Sequence, residues 1–328
     1  MAKAKKERGL KIQVLGDLIA DISMRLPQFP VKAKDIHRLS YMEVGPGGAC
    51  NVAIMAARFG LDVGVIGEVG DDGFGLVVRE GLKREGVDVK HLRVTSDADT
   101  PVAGVVVDRS SEPGYLGYPG SLKVREFQKA WHSPIEGSKA LFADGWAEYP
   151  EIPAMLLEGF ALARKAGVTT FFDPGPGNPD VDNAWMPEIV ALSSVVLLNR
   201  AEARRVTEEY QDNDMVKVLQ GFGAEFIVLK RGAQGLLLVR GEARVEVPGF
   251  SIKPRDATGA GDSLAGAAIY GVLHDMPLEK LAVLANATGA AKVQKLGTGH
   301  NMPTIVEIAA VLEANGYEPD QYLPRSNA

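Results

Sequence analysis

The octapeptide Arg255-Asp-Ala-Thr-Gly-Ala-Gly-Asp262 brings together, within one turn, the residue types that phosphoryl transfer needs. It follows a strand-like run, Ala243 to Ile252, and leads into Ser263 to Leu273, an apolar small-residue run of helical character. A helix start presents unpaired N–H groups and the positive end of its dipole. Gly259 and Gly261 carry no side chain, so the backbone from Gly259 through Ala260 to Gly261 can close on an anion. Asp262 in the same turn would repel a resident phosphate. It suits a transfer site instead, where a carboxylate accepts the proton of an attacking hydroxyl while amides hold charge on the moving group. A depressed pKa for Asp262 is expected at such a helix start. The competing reading is an aspartate cap on a core helix whose glycines serve packing. It is sufficient residue by residue, and the stretch as a whole favours function.

Other elements must position this turn. Lys11 to Leu15 is a strand run ending at Gly16-Asp17, with Asp21 close behind, and strand ends of open α/β sheets are where ligands sit. The segment from Ser23 to Val44 predicts short strands. Gly45-Pro-Gly-Gly-Ala-Cys-Asn51 predicts a glycine-rich entry to a helix over 52–59. Gly70-Asp-Asp-Gly-Phe-Gly75 opens a helix running to about Glu85, its tandem aspartates explained by capping. Thr100 to Asp108 is a strand and 110–114 a turn; Ala140–Asp144, Val168–Pro174, Ser194–Asn199 and Glu225–Lys230 are further strands. Pro150–Ala166 and Leu281–Val293 read as helices, and Arg231-Gly-Ala-Gln-Gly235 as a hairpin turn into 236–239. Strand and helix alternate throughout, which predicts a mostly parallel sheet covered on both faces.

The segment Asp256-Ala-Thr-Gly-Ala-Gly-Asp262 resembles the C-terminal signature Asp-Thr-x-Gly-Ala-Gly-Asp of the ribokinase-type (PfkB-like) carbohydrate kinases, with Ala257 at the usual Thr. The first strand resembles that family's Gly-x-x-x-x-Asp. The segment ending at Asn51 resembles Gly-Gly-x-x-x-Asn-x-Ala, with Pro46 at the first Gly and Gly47 as the second. Asn199-x-x-Glu202 and Lys230-x-Gly232-x-x-Gly235 match two further elements, and the resemblance extends from about Lys11 to about Pro303.

This resemblance implies an α/β fold: a three-layer αβα core with a mostly parallel sheet (residues 10–22, 47–98 and 124–328), plus a small β-sheet lid (23–46 and 99–123) and a flexible basic tail (1–9). It implies an ATP-dependent sugar kinase that phosphorylates a primary hydroxyl of a sugar or sugar acid of the ribose, fructose or 2-keto-3-deoxygluconate class. A nucleoside kinase of the same fold and a silent sugar-binding regulator are the alternatives. Asp262 would be the base, with Gly259, Ala260 and Gly261 as the anion hole. Asp21, Gly47, Gly48 and Asn51 would hold the acceptor; Arg109 in the lid reads either as a carboxylate or phosphate contact or as plain surface. Asn199, Lys230, Gly232, Gly235, Thr258, Asn286 and Gly297 would border the nucleotide. Magnesium would be held through water by Asn199 and Glu202, and Asp256 and Thr258 would lie near a monovalent-cation site, so that potassium activates. Lids would pair into a homodimer.

Composition sets the outer bounds. A chain of 328 residues can bury one large core or two. A net charge of −6 argues against a nucleic-acid footprint. The basic cluster Lys3 to Arg8 reads as a loose tail. The run after it is too polar for a signal-peptide core, and no apolar run is long enough to span a bilayer. The lone cysteine, Cys50, excludes an internal disulfide and fits a reducing compartment, hence a soluble cytoplasmic protein. Five scattered histidines predict no structural zinc. A dehydrogenase would carry Gly-x-Gly-x-x-Gly after the first strand, where Gly16-Asp-Leu-Ile-Ala-Asp21 stands, and the P-loop pattern is absent.

Overall fold

The structure, a computed structural model, describes residues 10–122, 127–145, 152–176 and 182–324. The basic tail expected at 1–9 and the core boundary expected at 124 lie outside them. In chain order the strands are β1 (Lys11–Leu15), β2 (Leu18–Arg25), β3 (Tyr41–Gly48), β4 (Asp62–Gly70), β5 (Asp88–Thr95), β6 (Val102–Val107), β7 (Pro113–Tyr118), β8 (Ala140–Asp144), β9 (Thr169–Asp173), β10 (Val195–Asn199), β11 (Phe226–Lys230), β12 (Leu236–Arg240) and β13 (Ala243–Val247). The helices are α1 (Ala49–Arg58), α2 (Gly73–Arg84), α3 (His132–Glu136), α4 (Ile152–Lys165), α5 (Met186–Leu192), α6 (Arg200–Thr207), α7 (Asp212–Gly221), α8 (Ala260–Leu273), α9 (Leu278–Val293) and α10 (Ile305–Ala314).

Among the described residues the large sheet runs β13-β12-β11-β10-β9-β8-β1-β4-β5. It is parallel from β5 through β11, and β12 and β13 add antiparallel at one edge. Strands covered on both faces must be apolar along their whole length, and β1, β8, β10 and β11 are buried almost end to end. Alternate residues enter separate cores. Val14, Phe171 and Leu197 pack with α1, α8, α9 and α10, whereas Leu15, Phe172 and Leu198 pack with α4, α5 and α7. That is the expected three-layer arrangement.

Helices α8 and α9 are buried nearly all round, which is why they are built of Ala, Gly and small residues. A Cβ on Gly266 would stand 2.5 Å from the Cβ of Met55, so α8 lies directly against α1.

The small sheet has the order β3-β2-β6-β7, with β2 and β6 parallel and the outer pairs antiparallel. Its register puts Ile19, Asp21, Ser23, Gly47, Val105 and Tyr115 on one face and Met42, Val44 and Leu116 on the other. Several local expectations need correction. β2 is one strand from Leu18 to Arg25, not short pieces from Ser23 onward. The small sheet therefore reaches Leu18 and Gly48, past the boundaries expected at 22 and 47. Gly45–Gly48 form the end of β3, and the helix starts at Ala49 rather than at 52, because pairing with β2 continues to Gly48. Gly48, at φ +55°, then makes the bend, and the Ala49 amide donates to Asp17 O at 2.9 Å. β13 stops at Val247, before Pro248, rather than running to Ile252. α9 starts at Leu278, directly after Pro277, rather than at 281. Among the described residues no helix is long and apolar enough to cross a membrane.

The β11–β12 hairpin gives a test. Gly235 has φ +85°, and a Cβ there would lie 2.0 Å from Val247 O. Gly232 has φ +57° with open space around it. Gly235→Ala should lower stability by roughly 2–4 kcal/mol and Gly232→Ala by only about 1 kcal/mol. Thermal midpoints decide it, and equal losses would show that crowding is not what keeps glycine at 235.

Candidate active site

The carboxyl ends of β8, β9 and β11 face the first turn of α8, where Asp144, Asp173 and Lys230 act on the Asp262 charge. The N-cap of α8 is Gly259 at φ +75°; a Cβ there would press on Met302 Sδ at 3.2 Å and Lys292 Cε at 3.3 Å. Asp262 lies in this turn, partly exposed. Asn51, from α1, donates through Nδ2 to Asp262 Oδ2 at 2.9 Å and accepts from the Gly299 amide at 2.9 Å. One side chain thus joins α1, α8 and the 297–299 loop. Asp21, 4% exposed on β2, accepts from Thr298 Oγ1 at 2.7 Å on that same loop. Gly47 must stay bare because the Asp21 carboxylate lies across it: a Cβ would meet Asp21 Cγ at 2.0 Å. Gly48 is similarly crowded by Asp17 O, 2.3 Å from its would-be Cβ. The structure therefore brings Asp21, Gly47, Gly48, Asn51 and Asp262 to one place.

The octapeptide is tied down at its start by buried Asp256. Its Oδ1 accepts from the Thr258 amide at 2.9 Å and its Oδ2 from the Gly297 amide at 2.8 Å. Gly297 packs on the small sheet, where a Cβ would lie 2.6 Å from the Tyr41 hydroxyl. The small sheet also touches the octapeptide directly: the Ala257 amide donates to Ser111 O at 2.9 Å, and Ser111 Oγ donates to Pro254 O at 3.1 Å. Arg109, two residues earlier on the same turn, stays exposed and makes no hydrogen bond or ion pair among the described residues. Of Gly259, Ala260 and Gly261, Ala260 uses its amide to close a turn onto Ala257 O at 3.2 Å, which leaves the amides of Gly259 and Gly261 as open donors among the described residues.

At the end of β11 Lys230 Nζ lies 2.6 Å from Asp173 Oδ2 and 3.4 Å from Glu202 Oε2, and next to Gly261, whose would-be Cβ is 3.3 Å away. Lys230, little exposed, is thus a counter-ion to Asp173 and Glu202 beside Gly261. Asn199 and Glu202 form a capping box on α6: Glu202 accepts from the Asn199 amide at 2.6 Å, and Asn199 Oδ1 accepts from the Glu202 amide at 2.9 Å. Glu202 is buried. Lys230 faces two carboxylates and Arg205 also feels both, so the cluster is balanced, and its carboxylate oxygens fit a magnesium ion held through water rather than bound directly. Gly235 serves the hairpin backbone, Gly232 lies open beside it, and buried Asn286 donates to Pro248 O at 2.7 Å.

Burial sets the electrostatics. Loss of water, with the Asp173 charge adding, raises Asp262 to about 6, while the Asn51 hydrogen bond and Lys230 oppose the rise. The depressed value expected from the helix dipole is overturned, because desolvation outweighs it. Burial likewise raises Asp21 to about 7 against the Thr298 bond, with the charges of Asp262 and Asp256 adding. Asp144, at the end of β8, is also pushed up by burial, although its Oδ1 accepts from the Asp17 amide at 3.1 Å. Burial draws Lys292 down to about 8 against the pull of Asp256 and Asp262, so the ammonium keeps its proton at neutral pH.

Lys292, on α9, is fully buried with no hydrogen-bond partner for Nζ among the described residues, and Thr258 Oγ1 is equally unpartnered. A potassium ion beside Asp256 and Thr258 would share this interior with the ammonium, and the residues do not fit a second cation there. Lys292 and Asp144 were not among the expected site residues. The signal for Lys292 was a single charge in an otherwise small and apolar helical run.

Asp21 generates a stability test. Its folded value of about 7 lies above the ordinary 3.8, so between those limits the folded chain holds a proton that the unfolded chain releases. Its contribution to stability therefore falls as pH rises through that window. Asp21→Asn should melt above the parent at alkaline pH, with the gap closing as pH is lowered toward the unfolded value. A gap independent of pH would contradict the burial of a titrating carboxyl at this position.

The chain matches the profile "pfkB family carbohydrate kinase" over residues 10–305. It is 27% identical to the ribokinase of Mus musculus over 311 residues, 91% of this chain and 93% of that one. It is 28% identical to the ATP-dependent ribose-1-phosphate kinase of Halopiger xanaduensis over 314 residues, 92% of this chain and 98% of that one. It shares its fold with Arabidopsis thaliana ribokinase complexed with ribose and ATP, at a TM-score of 0.78 and 19% identity, covering 92% of this chain and 98% of that one. The profile takes in the large sheet, the small sheet and the octapeptide alike, and the chain belongs to the pfkB family of carbohydrate kinases.

Proposed function

We propose that this protein transfers the γ-phosphoryl group of ATP to a primary hydroxyl of a sugar or sugar acid, with Asp262 as general base. The observation that carries the reading is Asp262 held by Asn51 in the first turn of α8, close to the Asp21 carboxylate on the facing sheet. Asp21, Gly47, Gly48 and Asn51 would orient the acceptor, because a carboxylate and an amide accept and donate hydroxyl hydrogen bonds in fixed directions. With a pKa near 6, Asp262 is ionised at neutral pH and basic enough to take the acceptor's proton. The Gly261 amide and the Lys230 ammonium beside it would steady charge on the moving phosphoryl group. Asn199, Lys230, Gly232, Thr258 and Asn286 lie toward the triphosphate and nucleoside. Magnesium, when bound, would screen the triphosphate, held through water by Asn199, Glu202 and Asp173. The relatives that act on ribose and ribose 1-phosphate support a sugar as acceptor.

The small sheet would act as a lid that keeps water from the phosphoryl group. Its face opposite Asp21 exposes Met42 at 62% and Leu116 at 58%, which supports pairing of two such sheets in a homodimer. The unpaired, buried Cys50 supports a cytoplasmic setting.

Asp262→Asn should lower turnover by about 10³-fold while ATP affinity stays within about twofold. The parent's turnover should fall as pH drops below about 6, where Asp262 takes up its proton. Steady-state kinetics with a sugar panel, and calorimetry for ATP, check both. A variant that turns over at the parental rate removes Asp262 from the base role.

A further inference from the structure

Lys292 stands in the penultimate position of α9, 0% exposed, with no hydrogen-bond partner for its ammonium among the described residues. Its Cε is 3.3 Å from the would-be Cβ of Gly259, so the side chain runs directly beneath the N-cap of α8. The next residue, Val293, accepts the amides of Arg255 at 2.7 Å and Asp256 at 3.2 Å. The end of α9 therefore carries the start of the octapeptide on its backbone and the middle of it on the Lys292 stem. Asp256 binds the amides of Thr258 and Gly297 and is the anion Lys292 feels most, followed by Asp262. Lys295, the other lysine whose charge acts on Lys292, is turned to Glu307 at 2.8 Å. A buried carboxylate that gathers two amides needs a compensating charge when water is absent. Lys292 is the cation in place to supply it.

We propose that the Lys292 ammonium is the resident cation of the phosphate-facing loop, a tethered charge in the role that the family resemblance gives to potassium. It holds Asp256, and through Asp256 the turn that presents the Gly261 amide, so that nucleotide binding is independent of monovalent cations. Lys292 is a positioning residue; nothing places it on substrate. The inference rests on the kinase reading only where ATP is the probe.

The test compares potassium chloride with tetramethylammonium chloride at equal ionic strength, reading thermal midpoint and ATP affinity by calorimetry. The parent should show the same midpoint in both salts and an ATP affinity unchanged within about twofold. Lys292→Met, close in volume but uncharged, should lose about tenfold in ATP affinity in tetramethylammonium and recover most of it in potassium. A purely structural lysine would give no such cation-specific rescue. Potassium-specific stabilisation or tightening in the parent would overturn the proposal, and so would a folded Lys292→Met indifferent to potassium. Lys292→Gln is the second variant should methionine prevent folding, and the parental comparison decides without any variant. Failure of ATP to bind in every salt would strike the kinase reading, while the midpoints would still decide the cation.

Discussion

The Asp262 carboxylate is kept largely out of water between the Asn51 amide and the ammonium groups of Lys230 and Lys292, with Asp21, Asp144 and Asp173 close enough to raise acid pKa values further. So many acids at one sheet edge would repel one another apart if each were ionised and bare. The edge survives because each acid has its own answer. Asp173 has Lys230, Asp256 has two backbone amides and Lys292, Asp21 has the Thr298 hydroxyl, and Asp144 has the Asp17 amide. Burial then raises Asp21 and Asp262 into the neutral range, where a carboxylate is a useful base.

That electrostatic cluster is possible only because backbone segments approach unusually closely. The Asp21 carboxylate occupies the space a side chain at 47 would need. Helix α8 lies against α1 at Gly266, which brings Asn51 and Asp262 within hydrogen-bond reach. Small residues in α8 and α9 are therefore part of the chemistry, although none of them carries a reactive group. The Arg58 guanidinium pins the turn after 299 by donating to His300 O at 3.1 Å and to Glu85 at 2.8 Å.

The small sheet is coupled to the octapeptide through the Ala257–Ser111 hydrogen bond and through Gly297, which meets Asp256 on one side and the Tyr41 hydroxyl on the other. Movement of the sheet away from the core would break bonds to the octapeptide itself. The position of the small sheet and the shape of the octapeptide turn are thus linked in one geometry.

Local patterns in the sequence were enough for the alternation that makes a parallel sheet, the hairpin at 231–235, the Asp72 cap on α2 and the Asn199–Glu202 capping box, because each depends on neighbours within a few residues. The octapeptide was legible as chemistry for the same reason. What the tertiary structure decided depends on partners distant in sequence. Asn51 meets Asp262 across 211 residues and Thr298 meets Asp21 across 277, distances no periodicity encodes. β3 runs on to Gly48 because β2 pairs with it, where local composition reads as a helix entry. The sign of the Asp262 shift was decided the same way: the helix dipole is a local property and lowers it, while exclusion of water is a property of the whole fold and prevails.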